Sequence, residues 1–242
     1  MNNYPGIYQS SFDVEQNEGV FKYTPDNDRL GFIKKVYGIL SMQLFITVVF
    51  TALVISDEYL TLSVQSSPGL MYLTSFGSLG IIISLFCCTE NARRVPLNYV
   101  LLLSFTLCES YMVAFICSVY ETSTVLLAAM MTLGVTLALT AYACYTTTEF
   151  NSFRGAGVVM LSILILFGIF GISRLGGFAD LLFCCLGVAV YGFYIIYDTQ
   201  LIADGDKYGL SLDDYILGAM MLYVDIIGLF IYLLRLLAKK DN

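Results

Sequence analysis

Three carboxylates stand alone in the middle of long apolar runs: Glu109 in Thr106-Leu107-Cys108-Glu109-Ser110, Asp198 in Ile195-Ile196-Tyr197-Asp198-Thr199-Gln200, and Asp225 in Leu222-Tyr223-Val224-Asp225-Ile226-Ile227. If those runs cross a membrane, each carboxylate costs about 2.5 to 3.5 kcal/mol on insertion scales, so each asks for a partner and a purpose. The polar stretch from Ala203 to Asp214 reads as the loop of a helical hairpin, which places Asp198 about five residues before it and Asp225 about eleven after. At 1.5 Å per residue their depths differ by roughly 9 Å, which a tilt or one extra helical turn on the sixth segment brings level. Two carboxyls in contact in a low-dielectric site cannot both ionise cheaply; they share a proton and titrate as one coupled pair. Each change of protonation biases the packing of the two helices.

The chain contains no histidine, which removes imidazole-based zinc sites, imidazole haem ligation, Ser-His-Asp triads and imidazole pH switches at a stroke. Proton chemistry near neutrality is left to carboxylates. The seven cysteines, Cys87, Cys88, Cys108, Cys117, Cys144, Cys184 and Cys185, form two adjacent pairs, make no C-x-x-C, and lie in or beside apolar runs. They read as helix-packing residues and not as a disulfide or metal framework.

The elements that must carry these residues follow from composition. Only 13% of the residues are charged and 58% are hydrophobic, with mean hydropathy +0.78, against about 25% charged in soluble domains. The net charge of −7 argues against nucleic acid as a partner. The pattern predicts an all-α polytopic membrane protein with no room for a soluble catalytic domain, and so no enzyme. Residues 1–33 form an acidic tail with Asp13, Glu15, Glu18, Asp26 and Asp28, and they lack the basic start and apolar core of a signal peptide. Seven apolar spans follow within residues 34–238, at about 36–55, 70–88, 97–119, 124–145, 155–173, 178–200 and 215–237.

Lysine and arginine counts set the orientation. With the N-terminus in the cytosol, eight cations fall on that side and four on the other, so an N-cytosolic topology is expected. The cluster Arg235, Lys239 and Lys240 is the misfit; six crossings with a re-entrant segment would return it to the cytosol, but the last run is long enough to span. On that last span Gly218, Met221, Leu222, Gly228, Leu229 and Tyr232 share the face of Asp225, while on the sixth Gly187, Tyr191 and Tyr194 share the face of Asp198. The glycines permit close helix approach.

Five segments carry a family resemblance: FIKKVYGILSMQL, SPGLMYLTSFGSLG, PLNYVLLLSFTLCES, IIYDTQ, and DDYILGAMMLYVDIIGLFIYLLRLL. Over residues 29 to 238 the chain resembles the transmembrane Bax inhibitor motif family, and within it the lifeguard branch and its Golgi anti-apoptotic proteins. The resemblance implies a seven-helix fold with a central C-terminal helix, residence in Golgi or endoplasmic reticulum, and a cation leak that lowers stored Ca²⁺ and restrains apoptosis. Ca²⁺ would be the transported ion, with no cofactor and no resident metal. It further implies that Asp198 and Asp225 gate the path, that Asp213 with the adjacent Asp214 stands at its mouth, and that Arg93 or Arg94 supplies a counter-charge. Glu109 would border the open path. Departures are Gly228, where relatives usually carry Asn, and the inserted Asp204 to Lys207, which makes the mouth more acidic.

Other classes fit less well. Intramembrane aspartyl proteases also place Tyr-Asp on one helix, as Tyr197-Asp198 does, but they need Gly-x-Gly before the second aspartate, where this chain has Leu222, Tyr223 and Val224. The prolines of a G-protein-coupled receptor's last helix are missing. An alternative that the sequence leaves standing is a non-conducting membrane scaffold that modulates cell-death proteins or other Ca²⁺ channels.

Overall fold

The computed structural model describes residues 25–146, 154–171, 178–203 and 210–238. The acidic tail as far as residue 24, the inserted loop with Asp204 and Lys207, and Arg174, Lys239 and Lys240 lie outside the described residues. Within them the chain is helical: α1 Pro25–Ser56, α2 Glu58–Gln65, α3 Pro68–Cys87, α4 Thr89–Arg93, α5 Leu97–Cys117, α6 Thr122–Tyr145, α7 Arg154–Gly171, α8 Phe178–Ala203 and α9 Tyr215–Ala238. Six of these, α1, α3, α5, α6, α8 and α9, are long and apolar enough to cross a membrane, and α7 contributes a shorter apolar stretch, Gly157–Leu166. Large apolar side chains such as Met42, Phe45, Phe76 and Met130 point outward, as lipid-facing positions should.

The last helix is the centre of the bundle. In its most apolar stretch 78% of residues are buried, against 11 to 39% in the other five spans, because α1, α5, α6 and α8 all pack on it. Apolar burial does not drive such packing inside lipid, where tails are as apolar as leucine; close contact and hydrogen bonds do. One face of α9 supplies the bonds. Tyr223, fully buried, sits 2.8 Å from the Thr47 hydroxyl of α1, which lies 3.0 Å from the Ser110 hydroxyl of α5. One turn along, the Gln43 amide donates to Thr106 Oγ1 at 3.1 Å. Gln43 and Thr47 are four residues apart on α1 and Thr106 and Ser110 four apart on α5, so both pairs line a single seam.

The first helix starts earlier than the apolar pattern indicates, at Pro25, where a missing N–H goes unmissed. Packing holds this polar extension in place. Phe32 and Val36 are buried, and the Arg29 guanidinium lies over the Phe32 ring at 4.5 Å while donating to the carbonyls of Ala203 at 3.2 Å, Leu201 at 3.1 Å, and Ile202. A cation on the last carbonyls of α8 is the favourable end for the helix dipole. The sixth span thereby continues to Ala203, three residues past its apolar run.

Two short helices turn the chain at opposite ends. Asp57 caps α2 by accepting from the Leu60 amide at 3.0 Å, and Gln65 at the end of α2 donates to the Ser118 carbonyl at 2.5 Å. At the other end α4 follows directly on α3 and carries Arg93.

Candidate functional site

The α8–α9 hairpin positions the site. Asp198 and Asp225 are 4% and 6% exposed, and their carboxyls face each other across the hairpin. Asp198 Oδ1 and Asp225 Oδ2 are enclosed with no N–H or O–H donor against them. Two carboxyls facing each other away from water cannot both carry charge cheaply, and a proton held between them is the arrangement that relieves the repulsion. They lie in the wall of a cavity of about 870 Å³ that also reaches Arg93, Tyr191, Tyr194, Tyr197 and Asp214.

An ion pair stands at the mouth. Arg93 binds Asp214 through two parallel bonds, Nε to Oδ1 at 2.8 Å and an Nη2 donor to Oδ2 at 2.9 Å. Asp214 Oδ2 also accepts from the Ser211 amide at 3.0 Å, which fixes the carboxylate in the turn before α9. Hydrogen bonding to Asp214, and then its charge, hold the Arg93 guanidinium above its ordinary value. Of the two adjacent carboxylates it is Asp214 that is buried and paired, whereas Asp213 is exposed. Of the two arginines, both exposed, it is Arg93 that makes the pair.

Glu109 stands apart. It does not line the cavity; its carboxyl faces Ser78, between α5 and α3. Helical phase explains the separation. Thr106 and Ser110 occupy the face of α5 that meets α1 and α9, which turns Glu109 toward α3.

Beyond the carboxyl pair the cavity ends on an aromatic layer that the sequence only half discloses. Tyr191 of α8 lies over Gly228 of α9, and Tyr232 of α9 lies over Gly187 of α8; a Cβ at either glycine would come within 2.3 Å of the opposing ring. The two tyrosine rings are 5.7 Å apart and Phe183 adds a third ring 5.6 Å from Tyr232. At the far end Arg235, in the last turn of α9, pairs with Asp180, in the first turn of α8. Tyr120, in the α5–α6 turn, lies beside them, its phenol pushed up by burial and drawn down by Arg235. The signal for this layer is a repeated Gly-x-x-x-Tyr, Gly187 to Tyr191 and Gly228 to Tyr232, which two antiparallel helices can satisfy reciprocally. Asp180 and Arg235 look like ordinary span ends in the sequence, and nothing in their spacing joins them.

This architecture defines an all-helical, multi-pass integral membrane protein built round its last helix. The chain belongs to the family described as inhibitor of apoptosis-promoting Bax1, whose pattern matches residues 29–242. It is 37% identical to the mouse (Mus musculus) protein lifeguard 4 over 240 residues, 98% of both chains. It is 38% identical to the Golgi anti-apoptotic protein of vaccinia virus strain Lister over 214 residues, 88% of this chain and 87% of that one. A BI1-like protein of Arabidopsis thaliana is 32% identical over 232 residues, 91% of this chain and 85% of its own length.

Proposed function

We propose that this protein is a pH-sensitive leak for Ca²⁺ and other cations in Golgi or endoplasmic reticulum membranes, with its N-terminus in the cytosol, and that by lowering stored Ca²⁺ it restrains apoptosis. The observation that carries the reading is the buried Asp198–Asp225 contact at the side of a cavity whose mouth is held by Arg93 and Asp214. With one shared proton the pair draws α8 and α9 together. As pH rises the proton leaves, two like charges face each other in a low dielectric, and the helices separate. The acidic mouth, Asp214 with Asp213 outside it, concentrates cations, and Arg93 is the post that must swing aside. Glu109 borders the path only if α3 moves with the opening.

The test is flux from liposomes loaded with a Ca²⁺ dye. Wild type is expected to leak more as pH rises, and Asp225→Asn, which cannot acquire the second charge, to lose that dependence. Identical flux from the two proteins at every pH would end the gate idea. The aromatic layer that closes the inner end of the cavity favours the alternative of a non-conducting scaffold acting on cell-death proteins or other channels. Equal flux from empty and protein-containing vesicles would select it.

A further inference from the structure

The cavity is much larger than an inorganic cation needs and is lined by the wrong atoms to hold one. Ca²⁺ takes six to eight oxygen ligands, and among the described residues no group of three or more Asp, Glu, Cys or His side chains is placed to hold a metal ion. At about 870 Å³ the space falls in the range of small-molecule sites, about 300 to 1,000 Å³. Its walls are largely apolar, with Ile82 and Phe86 from α3 and Val158, Leu161 and Ile165 from α7. Those two helices face each other across it, and among the described residues α7 packs chiefly on α8, and α3 on α5 and α4. Phe86, Val158 and Ile165 are about half exposed, so the gap between α3 and α7 opens sideways toward lipid.

The charge inside is negative. Arg93 is tied to Asp214, which leaves the Asp198–Asp225 pair with two enclosed oxygens that no donor meets. Around that pair stand aromatic rings of α8: Phe193 and Tyr197 stack 6.4 Å apart, and Tyr194 meets both edge-on at 5.8 and 6.5 Å. Carboxylate oxygens among tyrosine faces suit an organic ammonium, which binds through two or three N–H bonds and ring contacts and needs no full oxygen shell. An apolar slot leading from that point into the bilayer suits a hydrocarbon tail.

We propose that the cavity is a binding site for a lipophilic ammonium ion, its head on the Asp198–Asp225 pair among the Tyr194 and Tyr197 rings and its tail in the slot between α3 and α7. The site is the one that the leak reading uses, but the binding claim does not depend on conduction. An occupant there sets its charge against the two carboxyl residues in the cavity wall and fills the space between them and the mouth. If the protein conducts, such a ligand plugs it.

The experiment is native mass spectrometry of the full chain in nanodiscs with dodecylamine, using 1-dodecanol and dodecanoate at the same mole fraction as probes of equal length. One dodecylamine per chain is expected to survive, with neither the alcohol nor the carboxylate retained. Asp198→Asn with Asp225→Asn should weaken retention about tenfold or more, the worth of a charge-assisted hydrogen bond. Should that double variant fail to fold, Leu161→Trp obstructs the slot, leaves both carboxyls in place, and is expected to lose the amine as well. Equal retention of amine and alcohol overturns the proposal in favour of a slot for any chain. A co-purifying phospholipid that dodecylamine does not displace, or amine retention unchanged by both variants, overturns it too. Dye-loaded vesicles separate the two readings. Flux without amine binding sinks only this site, and amine binding without flux at any pH sinks only the leak.

Discussion

The two ends of the α8–α9 hairpin carry the same device, one arginine on one aspartate, over opposite interiors. At the Arg93–Asp214 end the ion pair stands over a cavity and a pair of carboxyls. At the Arg235–Asp180 end it stands over Tyr191 and Tyr232 packed onto two glycines, with Phe183 against Tyr232. Arg93 is 46% exposed and belongs to α4, outside the hairpin; Arg235 is 24% exposed and belongs to the hairpin itself. An ion pair between a hairpin and a separate element can part while both fold units stay intact. One that joins the two arms of a single hairpin over a filled layer can part only by unpacking it. The contrast assigns movement to the first end and cohesion to the second.

The largest effect that would break this contrast lies in the glycines. Gly187→Leu or Gly228→Leu drives a side chain into a tyrosine ring and is expected to cost about 3 kcal/mol, read as a fall in the melting transition followed by circular dichroism in detergent. Met221→Leu, a volume-conserving change beside the cavity, should cost less than about 1.5 kcal/mol. Equal losses at both places would mean that the far end is no tighter than the near one.

The next effect separates the two ion pairs. Asp180→Asn leaves a partly buried Arg235 without its counter-charge and should lower stability by about 2 kcal/mol in the same melt. Arg93→Gln should lower the melt by less, since half of that side chain already meets solvent and Asp214 keeps its bond from the Ser211 amide, and should raise vesicle flux. If Arg93→Gln melts early while Asp180→Asn does not, the assignment of the two ends is reversed.

The smallest effect is on the face of α9 turned away from both. Tyr223→Phe removes the bond to Thr47 without changing shape and should cost about 0.6 to 1.5 kcal/mol, in keeping with interhelical hydrogen bonds in membranes. Thr47→Val should then cost less than it does alone, because of its two interhelical bonds only the one to Ser110 remains; fully additive losses would show that the seam does not act as a unit.

The carboxyl pair was open to view in the sequence because a charge in an apolar run is conspicuous and a short loop forces neighbouring helices together. The faces around it were equally legible from helical period: Gly228 and Tyr232 do lie along one side of α9, and Gly187 and Tyr191 along one side of α8. What each face would meet was not. Periodicity fixes angle about an axis and says nothing of the crossing that sets Tyr191 on Gly228 and Tyr232 on Gly187. The choice of Asp214 over Asp213, and of Arg93 over Arg94, turns on one step in a turn and one step in a short helix, where no periodic signal exists. The polar start of α1 was invisible for another reason. Hydropathy finds only the lipid-crossing part of a helix, and Phe32 and Arg29 are held by contacts with the far end of the chain.

Arg29 also reaches the Leu210 carbonyl at 3.5 Å, so one guanidinium spans both sides of the connection between α8 and α9. The approach to the first crossing is therefore a strap on the return into the last. Shortening the chain past this point, or hanging a bulky fusion close behind it, would release the last turn of α8 and the approach to α9, 172 to 181 residues away, and reporter tags are better placed well upstream.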